Sequence, residues 1–468
     1  MWQIMNITTL KNKKIGIWGF GIVGNSYYTF CQSLTSTITI MDKNTTQQLP
    51  DRVTFVQETP ENIQFFLQEC DFVLLSPGIQ TDQYTEWNHK FVTELDLFTP
   101  LWSKKITAIT GSLGKTTTTS LLEQLLQKYG FGAKAAGNIG NAMLTTIPEQ
   151  AFIEEIILEL SSFQLTHTQH FNPHLAIWTN LHENHLDYHK TFDNYFLAKK
   201  NIIAGQSKDR VAILPAALKE KLGTLLQTVH WIFTEQDTFS EKEIALHHHA
   251  WLVHNEKITH YHKQNYTAYH APSELAQITF TDNWLTLYAA LYVHECDLQD
   301  MKEYSFSLHL PAHRLKACAQ IQDKTFYNDS KSTVWQATLK AAQSLPMYPA
   351  IIFIGGVSKG VNRAPLFAQL DPKKQYVYLF GKEADELAQY CTQNNLQYKT
   401  FATLEDAFAS CIQEKNIPTV LFSPGGASFD LFSNYIERGK RFEDLVNAYK
   451  NMEAHFMLLN ITIQLFIL

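Results

Sequence analysis

The stretch Ile106-Thr-Ala-Ile-Thr-Gly-Ser-Leu-Gly-Lys-Thr-Thr-Thr-Thr119 constrains this chain more than any other. The apolar run Ile106 to Ile109 predicts a buried strand. Gly111 and Gly114 break it, and Leu121 to Leu126 resume with helical apolar spacing. Strand, glycine turn, lysine, hydroxyl and helix together make a phosphate cradle. Backbone N–H groups point inward, and the helix N-terminus adds partial positive charge. In such a cradle Lys115 reaches the β- and γ-phosphates of ATP and Thr116 ligates Mg²⁺, with Gly111, Ser112, Leu113, Gly114 and Thr117 completing the wall. The longer form of the motif has a glycine where Ile109 stands, so this is a shortened G-x-x-G-K-T-T loop. The competing reading is a glycine turn before an ordinary amphipathic helix. The flanking strand and helix favour nucleotide binding.

A length of 468 residues exceeds one ordinary core and predicts two to four domains. Hydrophobic content of 45% with 18% charged residues describes a soluble globular protein. The net charge of −7 gives no support to a nucleic-acid partner. Six scattered cysteines with no C-x-x-C pair read as reduced thiols of a cytoplasmic protein. The N-terminus lacks the long apolar run of a signal peptide. The apolar tail Phe456 to Leu468 is too short to span a bilayer and reads as a packed terminal strand or helix.

Lys14 to Trp18 predicts a first strand, followed at once by Gly19-Phe-Gly-Ile-Val-Gly24 and a helix. A second strand, Ile38 to Met41, ends at Asp42. This is the dinucleotide-type fingerprint, with an acid after the second strand. Any diphosphate-bearing nucleotide could use such a turn, and a nicotinamide oxidoreductase is one reading of it. Asp71 to Leu75 is a third strand ending in Ser76-Pro-Gly78, either a ligand loop or a plain turn.

In the middle of the chain, Gly137-Asn-Ile-Gly140 is a polar turn, and Glu159 ends the apolar run Ile156 to Leu158. A carboxylate there is placed like an acidic partner for Mg²⁺. Residues 182–189 hold His182, Glu183, His185, Asp187 and His189, at spacings that match no standard zinc pattern. A helix-like segment, Tyr195 to Lys199, follows. His247-His-His249, His254, His260 and His262 fall in a polar stretch that reads as an irregular, solvated surface. After a linker near Ser305 to Pro311, strands are predicted up to Asn328, at Ala350–Ile354, at Tyr376–Phe380 and at Thr419–Phe422. Their end loops carry Asp329, Lys331, Lys359 and Ser428.

Taken together, ITGSLGKTT, ELSSFQL, GFGIVG, SPGI, FYNDSKST, GGVSKG and SPGGASFDLFSNYIERGKRF resemble the Mur ligases, over nearly the whole chain. The resemblance implies an α/β protein of three domains. They are a Rossmann-like UDP-substrate domain (1–104), a central P-loop ATPase-type domain (105–308) and a Rossmann-like amino-acid domain (309–468). It implies ATP-dependent amide ligation, with UDP-N-acetylmuramoyl-L-alanine and D-glutamate as substrates, in a cytoplasmic monomer. By motif position, Thr116, Glu159, His185 and a carbamylated Lys199 would serve Mg²⁺, with Lys115, His185 and Lys199 catalytic. Ile22, Val23, Asp42, Lys43, Ser76, Gly78 and Asn138 would hold the UDP substrate. Asn283, Arg314 and Asp329 would add ATP contacts, and Lys331, Thr333, Lys359, Ser428 and Tyr435 would surround D-glutamate. Leu113, Asn184, Tyr188, Asp282, Thr286 and Val334 depart from the family's commoner residues. A different acceptor amino acid, a folate-type substrate and a silent paralogue are the alternatives within this reading.

Overall fold

Short runs of β-branched and aromatic residues build most of the strands, and several, such as Ile15–Trp18, Phe72–Leu75 and Thr419–Phe422, are closed by glycine or serine. The computed structural model describes residues 7–467 except 46, 47, 52, 169, 170, 236, 238–243, 245–248, 264 and 277, with side chains up to Glu453. Among the described residues the strands form three sheets. The first contains β1 (Ile15–Trp18), β2 (Ile38–Asp42), β3 (Thr54–Gln57), β4 (Phe72–Leu75) and β5 (Phe91–Val92), in the order β3-β2-β1-β4-β5. Its pairings are all parallel. The sequence reading lacked β3 and the helix Pro60–Glu69, whose start is capped by the Thr59 side chain.

The second sheet contains β6 (Lys105–Thr110), β7 (Ala133–Gly137), β8 (Glu155–Glu159), β9 (Leu175–Trp178), β10 (Val211–Pro215), β11 (Thr228–Ile232), β12 (His249–His254), β13 (Lys257–His262) and β14 (Asn265–Ala268). Their order is β14-β13-β12-β11-β10-β9-β6-β8-β7. β8 and β9 are buried along their whole length, and β6 from Ile106 onward. That burial explains their unbroken apolar runs, the signature of a parallel sheet covered on both faces. β12, β13 and β14 pair antiparallel instead. The region expected to be irregular and solvated is therefore ordered sheet, with Trp251, Ile258 and His260 buried. His247 and His248 lie outside the described residues.

The third sheet contains β15 (Lys316–Ile321), β16 (Lys324–Asn328), β17 (Ala350–Gly355), β18 (Gln375–Phe380), β19 (Tyr398–Phe401) and β20 (Thr419–Phe422). The order is β15-β16-β20-β17-β18-β19, parallel except for β15. β20 lies between β16 and β17, so the loops at their C-terminal ends are neighbours, the usual ligand position of an open α/β sheet. The apolar tail continues the helix Tyr435–Ile467. No helix among the described residues is long and apolar enough to cross a membrane.

The chain divides into two compact units. The first is Met1–Leu181 with Tyr188–His309 and carries the first two sheets. The second is Leu310–Leu468 and takes in the short stretch His182–Asp187.

Candidate functional site

In the first unit, β6 runs between β8 and β9 and delivers the chain into the Gly111–Gly114 turn. Gly111 has φ +152° and Gly114 φ +78°. A Cβ at Gly111 would fall 1.9 Å from Thr179 Oγ1, and one at Gly114 would fall 2.7 Å from Asn283 Oδ1. Both positions therefore need glycine. The residues after β9 hold the turn from outside. Leu113 N–H donates to Asn180 Oδ1 at 2.8 Å, and Leu113 C=O accepts from Thr179 Oγ1 at 2.6 Å and Asn180 Nδ2 at 3.2 Å. Sequence reading missed Thr179 and Asn180, because only the β6–β9 pairing brings them to the turn. The helix Lys115–Lys128 starts directly from Gly114 and no side chain caps it, so the end of its dipole faces the turn.

Three charged side chains converge here. Lys115 Nζ donates to Gly111 C=O at 2.7 Å and Ser112 C=O at 3.2 Å. Lys199, on the helix Phe192–Ala204, is fully buried. Its Nζ donates to Gly111 C=O at 2.9 Å and Thr110 Oγ1 at 3.2 Å, and it lies 4.8 Å from the centre of the Tyr195 ring. Burial, reinforced by the like charge of Lys115, pushes the Lys199 amine well below its ordinary range, and Glu159 opposes that only in part. Glu159, at the end of β8, accepts from Asn138 Nδ2 at 2.8 Å through one carboxylate oxygen. The other oxygen is buried without a hydrogen-bond partner. An orphaned carboxylate oxygen beside the Thr116 hydroxyl's helix is the hard-oxygen environment that Mg²⁺ takes. The strand–helix junction is fixed by Ser161 and Gln164, which form a capping box at the start of Ser162–Thr166.

The residues expected to bracket UDP also lie in the first unit, at strand ends of the first sheet. Asp42 accepts from the N–H of Phe20 at 2.6 Å and of Asn44 at 2.8 Å, so its carboxylate ties two loops together. Ser76 Oγ donates to Gly19 C=O at 2.7 Å. Lys43 is exposed and pairs with Glu58 at 3.5 Å. Ile22 is exposed and Val23 half-buried at the start of the helix Ile22–Cys31. Gly78 takes φ +93°. Ser76 and Gly78 line a cleft with Phe163, His167, Tyr188 and Glu94. Glu94 was not singled out from the sequence. Burial pushes its carboxyl up to about 7, and one of its oxygens has no partner.

The histidine-rich loop splits between the units. His182 to Asp187 go with the second unit, and Tyr188 and His189 with the first. His189 Nε2 and Ser162 Oγ are hydrogen-bonded at 2.9 Å, and the ring stacks on Phe163, so His189 is packing. Tyr188 donates to Ile79 C=O at 3.1 Å. His185 takes φ +56°, with its N–H donating to Asn184 Oδ1 at 3.0 Å.

In the second unit, Asp329 sits at the hub of the strand-end loops. It accepts from Ser332 Oγ at 2.5 Å, Ser423 Oγ at 2.7 Å and Leu315 N–H at 3.1 Å. Burial raises its carboxyl to about 6, against the pull of those donors and of Arg314. Two buried arginines, missed from sequence, pin the same loops. Arg438 donates to Ser330 C=O at 2.8 Å, Ser330 Oγ at 3.1 Å and Gly426 C=O at 2.9 Å. Arg363 donates to the carbonyls of Gly355, Gly356 and Pro424 and to Glu383. On this frame Lys331 Nζ lies 3.7 Å from the centre of the Tyr435 ring. Lys359 takes φ +55°, Thr333 is half-buried and Ser428 buried.

Of the departures, Thr286 donates to Asp282 C=O within its own helix; the retained Asn283 reaches the glycine turn. Val334 occupies the N-cap of Trp335–Gln343, which has no side-chain cap.

Residues 109–280 match the model of the Mur ligase middle domain. The UDP-N-acetylmuramoylalanine--D-glutamate ligase of Alkaliphilus metalliredigens is 28% identical over 464 residues, covering 94% of this chain and 99% of the relative. The enzyme of the same name from Clostridium acetobutylicum is 29% identical, covering 94% and 98%. The middle of the chain thus matches the Mur ligase middle domain, and the chain as a whole is similar end to end to these D-glutamate ligases. Among solved Mur ligase structures, the UDP-N-acetylmuramate-alanine ligase of Thermotoga maritima superposes with a TM-score of 0.56 at 15% identity, covering 94% of this chain and 100% of that one. A pseudomurein peptide ligase from Methanothermus fervidus gives 0.55, also at 15%, with the same coverage. These two likenesses speak for the fold.

Proposed function

We propose that this chain is a Mur ligase, an ATP-dependent amide ligase that adds D-glutamate to UDP-N-acetylmuramoyl-L-alanine, a step of peptidoglycan precursor synthesis in the cytoplasm. The observation that carries the ligase reading is the glycine turn with Lys115, Glu159 and Lys199 gathered at the ends of β6 and β8. The acceptor is supported by the end-to-end match to relatives named for D-glutamate. In the division of labour we propose, residues 1–104 hold the UDP substrate, 105–308 bind ATP and 309–468 bind the amino acid.

A carboxylate is a poor acyl donor. Its oxygen attacks the γ-phosphorus of ATP, the bond to ADP breaks, and an acyl phosphate forms. The amine of D-glutamate then attacks the acyl carbon, phosphate leaves, and the ammonium proton is lost. Both partners of the first step are anions. The turn's N–H groups, the helix dipole and Lys115 lower that repulsion where charge develops. Mg²⁺, when bound, would screen the same phosphates, with Thr116 and Glu159 as its ligands in the first unit. Depression of the Lys199 amine favours the neutral form that can take up CO₂, and the carbamate so formed would offer the same ion a carboxylate. His185 and Arg314 are the second unit's proposed contacts to metal and ATP. Asp329 acts by holding the loops that carry Lys331, Thr333, Lys359 and Ser428 toward D-glutamate.

The test is phosphate release and amide formation with D-glutamate, L-glutamate, D-glutamine and L-lysine at equal concentration. D-glutamate should be the preferred acceptor. D-glutamine should be poor, because leaving a charge-assisted contact unpaired costs about 1.5–3 kcal/mol. Lys359→Ala should raise the apparent KM for D-glutamate far more than for ATP. Preference for L-lysine or L-glutamate would replace the acceptor and keep the ligase. No ATP-dependent amide with any of them would favour a silent paralogue.

A further inference from the structure

Two strands, β10 and β9, separate the phosphate loop's strand from a second concentration of titratable side chains. His230 of β11 stands beside His249 of β12 in the parallel register, and Trp251 of β12 faces His260 of β13 in the antiparallel one. Residues 249 and 251 share one face of their strand, so the four rings stack in two layers. His230 lies over His249 with centroids 4.1 Å apart at 6°, and Trp251 over His260 at 4.2 Å and 7°. Within one layer Trp251 Nε1 donates to His230 Nδ1 at 3.1 Å. In the other, His249 Nδ1 and His260 Nε2 are hydrogen-bonded at 3.0 Å. His262 stacks on His249 at 4.4 Å, and Tyr292 presents its edge to His260 at 4.5 Å.

Apolar packing alone could fill this space with tyrosine or leucine. Imidazoles add nitrogen lone pairs, and one ring nitrogen from each of His230, His249 and His260 lies within 4.8 Å of the others. It is the one group of three or more such ligand side chains found among the described residues. We propose that His230, His249 and His260 bind a first-row transition-metal ion of the Zn²⁺ or Ni²⁺ class, tying the antiparallel β12–β13 hairpin to the parallel sheet.

The His249–His260 spacing suits such an ion, and His230 stands within 4.8 Å of both. Two nitrogens at about 2.0–2.1 Å from a tetrahedral metal stand roughly 3.3 Å apart. The His249–His260 pair needs to open by only a few tenths of an ångström to reach that. Neutral imidazoles without a thiolate select zinc, nickel or copper over Mg²⁺. A water or His262 can take the fourth position, since His249 and His262 lie at the half-buried edge of the cluster. No net proton loss is required. The proton between His249 and His260 moves to the far nitrogen of the ring that carries it. Ligation by His230 at either nitrogen ends its hydrogen bond from Trp251: the metal occupies Nδ1, or the ring proton moves there.

The test uses the full chain, stripped with a chelator and without ATP or Mg²⁺, titrated with Zn²⁺ or Ni²⁺ in equilibrium dialysis and with Co²⁺ in visible absorption. One saturable equivalent with a nitrogen-ligand Co²⁺ spectrum is expected, together with a tryptophan fluorescence change that Trp251→Phe removes. His249→Gln and His260→Gln should each weaken binding by more than about tenfold. Lys115→Ala and the double change His247→Ala, His248→Ala should leave it in place. Absence of the equivalent from the unaltered protein overturns the proposal. So does its persistence in both glutamine variants, or its loss with the neighbouring pair. If the glutamine variants do not fold, the Co²⁺ spectrum of the unaltered chain decides alone, nitrogen ligation supporting the site and its absence overturning it.

Discussion

The glycine turn after β6 and the strand-end loops of the third sheet are both ligand positions of parallel sheets, yet they are built in opposite ways. Around the turn, polar capacity is left unmet. The helix start has no side-chain cap, a Glu159 oxygen has no partner, and Lys199 is buried where its charge is unwelcome. Around the third sheet the loops are cross-braced. Arg438 and Arg363 satisfy loop carbonyls, and Asp329 collects two hydroxyls and an N–H. The first region carries a stability cost that an anion and a cation can relieve. The second is a finished scaffold that presents Lys331 and Lys359.

Mutations can break this contrast. Lys115→Ala should have the largest effect. It should lower phosphate release on the order of a thousandfold, about 4 kcal/mol of transition-state stabilisation, with the urea midpoint unchanged. Near-normal turnover would remove the turn from the chemistry. Next comes Arg438→Met, which strands three buried acceptors. Its expected cost is about 3 kcal/mol of unfolding free energy, measured by denaturant titration. A loss below the error of that titration would mean that the loops are not braced as described. Glu159→Gln should run the other way. It replaces a buried carboxylate whose second oxygen has no hydrogen-bond partner, so the ligand-free protein should gain about 1 kcal/mol while ligation is lost. Destabilisation there would show that the carboxylate is already satisfied.

The smallest effect concerns the Glu155–His294 pair, whose ring nitrogen and carboxylate stand 2.8 Å apart. Burial alone would raise Glu155, but the hydrogen bond and charge of His294 outweigh it and hold the carboxyl below its ordinary 4.5. Burial would likewise lower His294, and Glu155 outweighs it, so the ring titrates above 6.5. The raised histidine's contribution is complete below 6.5 and fades as pH rises through its folded value. The depressed carboxylate's is complete above 4.5 and fades as pH falls through its own. Between those two values the pair helps most. The melting-temperature difference between the protein and His294→Leu should therefore be greatest near pH 5.5 and shrink toward pH 8. A difference that is flat in pH would reduce the pair to packing.

The strands that lead into the candidate site were legible because both faces of β6, β8, β17 and β20 are covered, which makes them largely apolar. The glycine turns were legible for the same reason that they are intolerant: φ values and close approaches that exclude a Cβ. Arg363, Arg438, Thr179 and Asn180 were not, since each acts on a segment far away in sequence and gains meaning only from strand order. β12 and β13 were misread because histidines stand at both ends of the apolar run Ala250–Val253 and crowd β13, so the stretch looks polar when averaged. Glu155 was not singled out, since only the fold brings it to His294, at the far end of another helix.

The hydrogen bonds at Leu113 bear on how this loop can change over generations. Its amide and carbonyl are gripped by Thr179 and Asn180, while its side chain stays half-exposed. Selection at this codon therefore acts on a backbone that almost any residue supplies. A leucine can stand there without redrawing the turn. At codons 111 and 114 nearly every nucleotide change that adds a side chain meets Thr179 or Asn283. Within four consecutive residues the loop holds both a position open to drift and two that are closed to it.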